Sequence, residues 1–284
     1  METRILHIYR RPMIFTSRYT QLRKLISLLK QKYIIDSYFA VVNDTVYNKA
    51  TNEKFRNELI PLSEFYKNGY DVLIIEGSPQ PEDEIPKIYV KIIKEFFNND
   101  GIILHLIGVG DFNITSVPKI NNFFKNLNLG LGIDTFLYED DIIVGFDEKY
   151  KFGDSKEFII EVGREYRARR TAYPEIFTGV EKLAVSDPIH QKFDLACKTL
   201  LTGNPTTQLV SKTDYIVNDR ILEFGKVNEK GGFYILITGY LFDDQIITLI
   251  ENDNLKFAEN LFEYFINVQR ERDMKLKMKR KKEN

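Results

Sequence analysis

Few groups in this chain could attack a substrate. It has one cysteine, Cys197, and three histidines, His7, His105 and His190. A catalytic thiol or hydroxyl works from a sharp, exposed turn, beside a base and within reach of backbone N–H donors. Cys197 stands instead between Ala196 and Lys198 in a segment that reads as a strand or helix interior, where a free cysteine packs as a small hydrophobe. Ser78 follows an apolar run after Gly77, but Pro79 removes the backbone donor that an oxyanion hole would need. No Gly-x-Ser-x-Gly elbow occurs. His7 and His105 lie inside apolar runs and are expected to be hydrogen-bonded core residues. His190, after Pro188 and Ile189, is the histidine best placed for a function, yet it has no recognisable partner. No two histidines have metal-ligand spacing, so no metal is implied. Glu139, Asp140 and Asp141, and the pair Asp243 and Asp244, could hold a cation. Solvated loop charges are the preferred reading for both groups.

Phosphate binding finds little more. There is no Gly-x-x-x-x-Gly-Lys-Ser/Thr loop, and Gly108-Val109-Gly110 lacks both a third glycine and a helix directly behind it. No cofactor is implied. Two basic clusters remain. Arg164, Arg167, Arg169 and Arg170 could recognise phosphate or carboxylate, although a solvated, salt-bridged loop is the plainer expectation. The stretch from Lys275 to Lys282, which includes Lys279 and Arg280, could contact nucleic acid or an acidic partner, or simply solubilise the last helix. From Arg270 to Asn284, eight Lys/Arg stand against three Asp/Glu; this local charge of +5 in a chain of net −1 leaves −6 for the rest. Attraction to a polyanion therefore belongs to this stretch and not to the body.

The elements that must position these groups follow from periodicity. Arg4 to Tyr9 is a short apolar run bounded by charge, as expected of a buried strand. From Tyr19 to Gln31, Leu22, Leu25, Ile26 and Leu29 share one face at helical spacing. Asp36 to Val42 reads as a second strand, and Leu59 to Phe65 as a helix. Asp71 to Glu76 is the clearest strand. It is followed by a helix from about Pro86 with Tyr89, Ile93, Phe96 and Phe97 inward, and Gly101 suits that helix's left-handed cap. Ile102 to Ile107 is again a continuous apolar strand. Strand, helix and strand in this spacing make a βαβ unit and imply a parallel sheet covered by helices. A helix opens at Ser116 to Pro118, with Ile120, Phe123, Phe124 and Leu127 inward. Residues 130–225 promise extra strands and long loops. A buried strand returns at Gly231 to Gly239, and Asp253 is a good N-cap for a helix that runs on into the basic stretch.

Composition permits this design. With 43% hydrophobic and 29% charged residues, a chain of 284 residues can build a large core, and global disorder is excluded. A single cysteine allows no intrachain disulfide, and no apolar run approaches the roughly 18 residues of a membrane helix. The N-terminal residues carry no signal-peptide pattern, so a cytoplasmic location without membrane insertion is expected. No linker or repeat interrupts the chain. The expected organisation is one α/β domain over residues 1–268, followed by a basic tail or helix extension over 269–284.

The order of these segments carries a resemblance. Asp71 to Gly77, the helix behind it, Gly101 to Gly110, and later Gly231 to Gly239 with Asp253 and Asn254 resemble the amidotransferase-like domains of intraflagellar-transport proteins and of proteins linked to gliding-motility ABC transporters. Phe124 to Ile133, ending in Leu129-Gly130-Leu131-Gly132-Ile133, and Tyr173 to Val180 are similar to further stretches of those domains. Asp100-Gly101 departs from them, since they often carry a glycine pair there. The resemblance spans residues 4–268. It implies a mostly parallel central sheet with helices on both faces, in the flavodoxin-like or class I glutamine amidotransferase-like manner. An active class I amidotransferase carries its cysteine on the turn that here reads Gly108 to Asp111, where Val109 cannot attack anything. The resemblance therefore implies a non-catalytic interaction or scaffold module in a larger intracellular assembly, with a protein partner. Two alternatives stay open. One is a small-ligand sensor or hydrolase with its pocket at the carboxyl ends of the strands, where Gly77, Ser78, Gly108, Gly110, Asp111 and Gly239 would gather. The other is a nucleic-acid-associated factor working through the two basic clusters.

Overall fold

A computed structural model of the chain describes residues 2–9, 22–39, 69–77, 87–107, 117–139, 157–186, 189–191, 196–204, 208–210, 216–217, 223–249 and 251–283. The helix expected at 59–65 lies outside them. The described part of the first half follows the strands and helices that periodicity predicts, with the connection from β2 to β3 outside it: β1 (Arg4–Tyr9), α1 (Arg23–Leu29), β2 (Ile34–Phe39), β3 (Val72–Glu76), α2 (Lys87–Asn98), β4 (Ile102–Ile107) and α3 (Val117–Leu127). β2 begins at Ile34, two residues ahead of the sequence expectation. The middle of the chain supplies β5 (Ile133–Glu139), β6 (Glu157–Glu161), α4 (Arg164–Arg169), a 3-10 turn (Pro174–Phe177), β7 (Lys182–Ser186), β8 (Ile189–Gln191), β9 (Cys197–Thr202), β10 (Gln208–Val210) and β11 (Ile216–Val217). The last part adds β12 (Glu223–Asn228), β13 (Phe233–Thr238), α5 (Asp244–Leu249) and α6 (Asn254–Glu283).

Seven strands form the main sheet in the order β2-β1-β3-β4-β13-β12-β9. The first five run parallel, and β12 and β9 continue the sheet antiparallel. Smaller antiparallel sheets, β11-β10-β5-β8 and β6-β7, come from the segment where extra strands were expected. Helices cover both faces. On one, Leu25 and Leu29 of α1 and Phe257, Leu261 and Phe265 of α6 bury Ile5, Ile74, Leu104 and Ile235. On the other, Phe96 and Phe97 of α2 and Ile120, Phe123 and Phe124 of α3 bury Leu73, Ile103, Tyr234 and Leu236. The chain is thus an α/β protein with a mostly parallel central sheet.

Two local expectations are corrected. The left-handed residue that ends α2 is Asp100, with φ 63°, not Gly101. The Gly101 N–H donates to Phe96 O at 3.0 Å, the long bond of a Schellman cap, which sets the left-handed position one residue earlier. Gly101 answers a different need. A Cβ there would stand 2.4 Å from the Phe96 ring, and a Cβ on Gly232 would stand 1.9 Å from Gly101 O. The starts of β4 and β13 approach as closely as only glycine allows.

Asp253 precedes α6 as expected, but its carboxylate does not cap that helix. It accepts from the N–H groups of Glu181 and Lys182, at 2.8 and 3.0 Å, on the strand β7 side. The next residue is buried completely. Asn254 accepts from Ala184 N at 2.9 Å and donates to Ala184 O and Leu241 O at 2.7 and 2.6 Å. The Asp-Asn pair is a latch between α6, β7 and the exit of β13. From there α6 runs the length of the sheet and continues without interruption to Glu283, so residues 269–283 extend this helix.

Candidate functional site at the carboxyl ends of β1 and β3

The strand order decides where a site belongs. Along the parallel part, β1 is followed by β2 on one side and β3 by β4 on the other, so the crossovers leave these neighbouring strands in opposite directions. The crevice at such a switch point, outside the carboxyl ends of the strands, is where open α/β sheets bind ligands. His7 on β1 and Glu76, the last residue of β3, lie on the two strands that flank this switch point.

Their side chains meet. In the parallel register His7 pairs with Ser37 of β2 and with Ile74 of β3. Side chains alternate along a strand, so Ser37, His7 and Glu76 fall on one face. His7 Nδ1 lies 3.3 Å from Ser37 Oγ, and Nε2 is hydrogen-bonded to Glu76 Oε1. The imidazole is fully buried, whereas the Glu76 side chain keeps 16% of its surface open. A serine hydroxyl both donates and accepts, so Ser37 satisfies Nδ1 whichever tautomer His7 adopts. Glu76 is therefore held through Oε1 by a buried imidazole, while part of its side chain stays open.

His105 reaches the same dipeptide from the opposite face. Its Nε2 donates to Gly77 O at 2.7 Å, and Tyr234 Oη lies 2.7 Å from Nδ1. Burial lowers the His105 pKa to about 4 and raises that of Tyr234, so the imidazole stays neutral and the phenol keeps its proton. Gly77 adopts φ 81° and donates its N–H to Leu106 O at 2.7 Å. A side chain at that φ would be strained, which accounts for glycine directly after the carboxylate. Two core histidines thus converge on Glu76 and Gly77, one fixing the side chain and the other the peptide.

This chemistry suits a ligand that donates hydrogen bonds or carries positive charge. A carboxylate accepts from hydroxyls and ammonium groups, and the histidine behind it fixes the orientation in which it does so. Among the described residues no cluster of three His, Cys, Asp or Glu could hold a metal ion.

No family model matches the chain, and no curated protein matches it. Among solved structures, a ThuA-like protein from Parabacteroides merdae is similar over 91% of this chain and 88% of its own, with a TM-score of 0.44 and 10% sequence identity. So slight a likeness has no bearing on function.

The other sequence-derived candidates are dispersed. Gly77 and Gly239 lie at the rim and bracket the end of β4, since the Gly239 N–H donates to Ile107 O at 2.7 Å. Ser78, Gly108, Gly110 and Asp111 lie outside the described residues. Cys197 opens β9, half-buried, with Sγ 3.4 Å from Leu129 O. It pairs with Asn228, which in turn pairs with Tyr234 near the start of β13, so the thiol sits at the opposite end of the sheet from the rim. His190 is on β8, and its side chain lies outside the described residues.

The acidic pair Asp243 and Asp244 departs from the solvated-loop expectation. Asp243 is buried, and Asp244 accepts from the Lys24 N–H at 2.8 Å, capping the first turn of α1 from across the fold. Its partial burial raises its pKa. The side chains of Glu139, Asp140 and Asp141 lie outside the described residues.

The arginine cluster is a helix, α4, and not a loop. Arg164 is exposed, Arg167 and Arg170 are half-buried, and Arg170 donates to Gly203 O at 2.6 Å; the Arg169 side chain is not described. Gly203 follows β9 at the rim end of the sheet. Lys279 and Arg280 are exposed on α6, which leaves the body at the other end, where Arg270 donates to Thr3 Oγ1 and Arg272 to Gly231 O. The two basic clusters do not form one surface.

Sequence reasoning treated His7 and His105 as core histidines, which they are, but missed Glu76 and Ser37. The signal was available. In an otherwise apolar β3, the polar residue sits on the face that β1 gives to its only imidazole. Register, which periodicity does not supply, was needed to join them.

Proposed function

We propose that the protein is a ligand-binding module that holds a small polar molecule in the crevice between β1 and β3, with Glu76 as the contact and His7 and Ser37 as positioning residues. The observation that carries this reading is the His7–Glu76 hydrogen bond at the switch point of the sheet. Thiol amidotransferase chemistry is not part of it, because the chain's single cysteine sits at the far end of the sheet. The amidotransferase-like resemblance, and the interaction module that it implies, rest on segment order and a missing nucleophile. The ligand reading rests on placed side chains and is preferred for that reason.

The test is a thermal-shift screen of the full chain against polyols, nucleosides, amino acids and polyamines. A compound at 100 times its Kd stabilises by about 2.7 kcal/mol, equivalent to a Tm rise of about 5 °C for a chain of this size. Glu76→Gln should abolish the shift. A hit whose shift persists undiminished in that variant would place the ligand elsewhere, and a screen without any shift would remove the reading.

A further inference from the structure

The last turns of α6 carry an arrangement that the crevice does not use. Every residue from Asp273 to Lys282 is exposed, and after Arg272, whose guanidinium lies 4.2 Å from the centre of the Phe233 ring, the helix leaves the body. Successive helical residues advance about 100° around the axis. Lys275, Lys279 and Lys282 therefore form one row, and Lys277, Arg280 and Lys281 form another on the opposite side. Met274 and Met278, 54% and 64% exposed, share the strip between the rows. No acidic residue stands between Met274 and Lys282. Within the rows, Lys275 faces Lys279 and Lys277 faces Lys281 at i,i+4, a repulsion that a polyanion would relieve.

A membrane surface meets a helix on one side, through a broad apolar face rich in Trp, Phe or Leu. Two methionines are a poor version of that face, and Leu276 points the opposite way. Duplex DNA offers a major groove about 12 Å wide, walled by phosphates on both sides of a seated helix, whereas the major groove of duplex RNA is too narrow to admit one. We infer that this arm binds duplex DNA, with the methionine strip toward the groove floor and one basic row toward each phosphate wall.

The experiment measures anisotropy of a fluorescein-labelled 20-base-pair duplex titrated with the full chain at several salt concentrations. Six phosphate contacts give a slope of log K against log salt of about −5, or a loss of about 10³-fold between 50 and 200 mM. The triple variants K275Q/K279Q/K282Q and K277Q/R280Q/K281Q should each bring the slope to about −3, with circular dichroism confirming that helix and body persist. No binding at 50 mM salt overturns the inference. So does a row variant that leaves the slope unchanged, or single-stranded DNA or phosphatidylserine vesicles that bind as tightly as the duplex.

Discussion

Asn254→Ala removes the latch that joins α6 to the rest of the fold, and the structure indicates how much that should cost. Asn254 is fully buried and satisfies three backbone groups: the N–H and C=O of Ala184 and the C=O of Leu241. Alanine leaves all three unpaired, at about 1–3 kcal/mol for each buried group. Partial relaxation and water entry make the lower part of that range the working value, so the loss should be about 3–5 kcal/mol. This is a large share of the 5–15 kcal/mol that holds a typical domain together. Asn254→Asp sharpens the argument. It keeps the acceptor for Ala184 N but turns a carboxylate oxygen toward two carbonyls, so at pH 7 it should be at least as damaging as alanine. Protonation restores one donor, so below about pH 5 its deficit relative to the parent should narrow. Asp253→Ala, by contrast, removes two exposed contacts and should cost only about 1 kcal/mol. Urea unfolding followed by far-UV circular dichroism reads all three. An Asn254→Ala loss below 1 kcal/mol, or one equal to that of Asp253→Ala, would refute the reasoning.

Other expectations rest on neighbouring side chains. His105 has a folded pKa of about 4 against 6.5 when unfolded, so the unfolded state binds its proton first as pH falls. Its stabilisation is intact above pH 6.5 and is lost as pH falls from there toward 4. Between pH 7 and 5 the parent should lose about 2 kcal/mol more than His105→Gln in urea titrations, and parallel pH profiles would contradict this. Gly232→Ala drives a methyl group into Gly101 O and should cost at least about 3 kcal/mol, whereas Gly69→Ala, with φ 59° and open space around it, should cost about 1 kcal/mol. Thermal melts compare the two, and equal losses would count against the close approach of β4 and β13. Lys32 is exposed and pairs with Glu259 and Glu263 on α6, which raise its pKa. Lys32→Ala should nonetheless cost below about 1 kcal/mol and less still at 1 M salt, as unfolding midpoints in low and high salt would reveal.

What the sequence conveyed depended on how local each feature is. The parallel core was legible because each buried strand is a run of apolar residues ended by a turn, as in Ile102 to Ile107, and each helix shows its face at 3.6-residue spacing, as in Ile120 to Leu127. The antiparallel strands of the middle were expected only in outline. Strands as short as β10 and β11, with three and two residues, leave no periodicity to read. Asp100 hid behind Gly101 because both suit a left-handed turn, and the close partner of Gly101 lies 131 positions away. The site shows the same division. Gly77 and the core character of His7 and His105 follow from their own neighbours in the chain. The grouping of Ser37, His7 and Glu76 depends on the lateral order of three strands, and the same topology moves Cys197 to the opposite end.

The sheet changes from parallel to antiparallel at β13, and this bears on how the chain is made. Ile102 pairs with Phe233, 131 positions later. At about 5–20 residues per second, a ribosome needs roughly 7 to 26 s to deliver the partner of β4 after β4 itself has emerged. Closing that loop costs an entropy of about 4 kcal/mol. During the interval β1, β2, β3 and β4 can assemble, but one edge of Ile102–Ile107, apolar and without a charged residue, stays open. β12 and β13 pair with each other through the short turn between Asn228 and Phe233 and need no such wait. The nascent protein is most exposed to aggregation while its sheet ends at β4, and the arrival of a preformed hairpin closes that window.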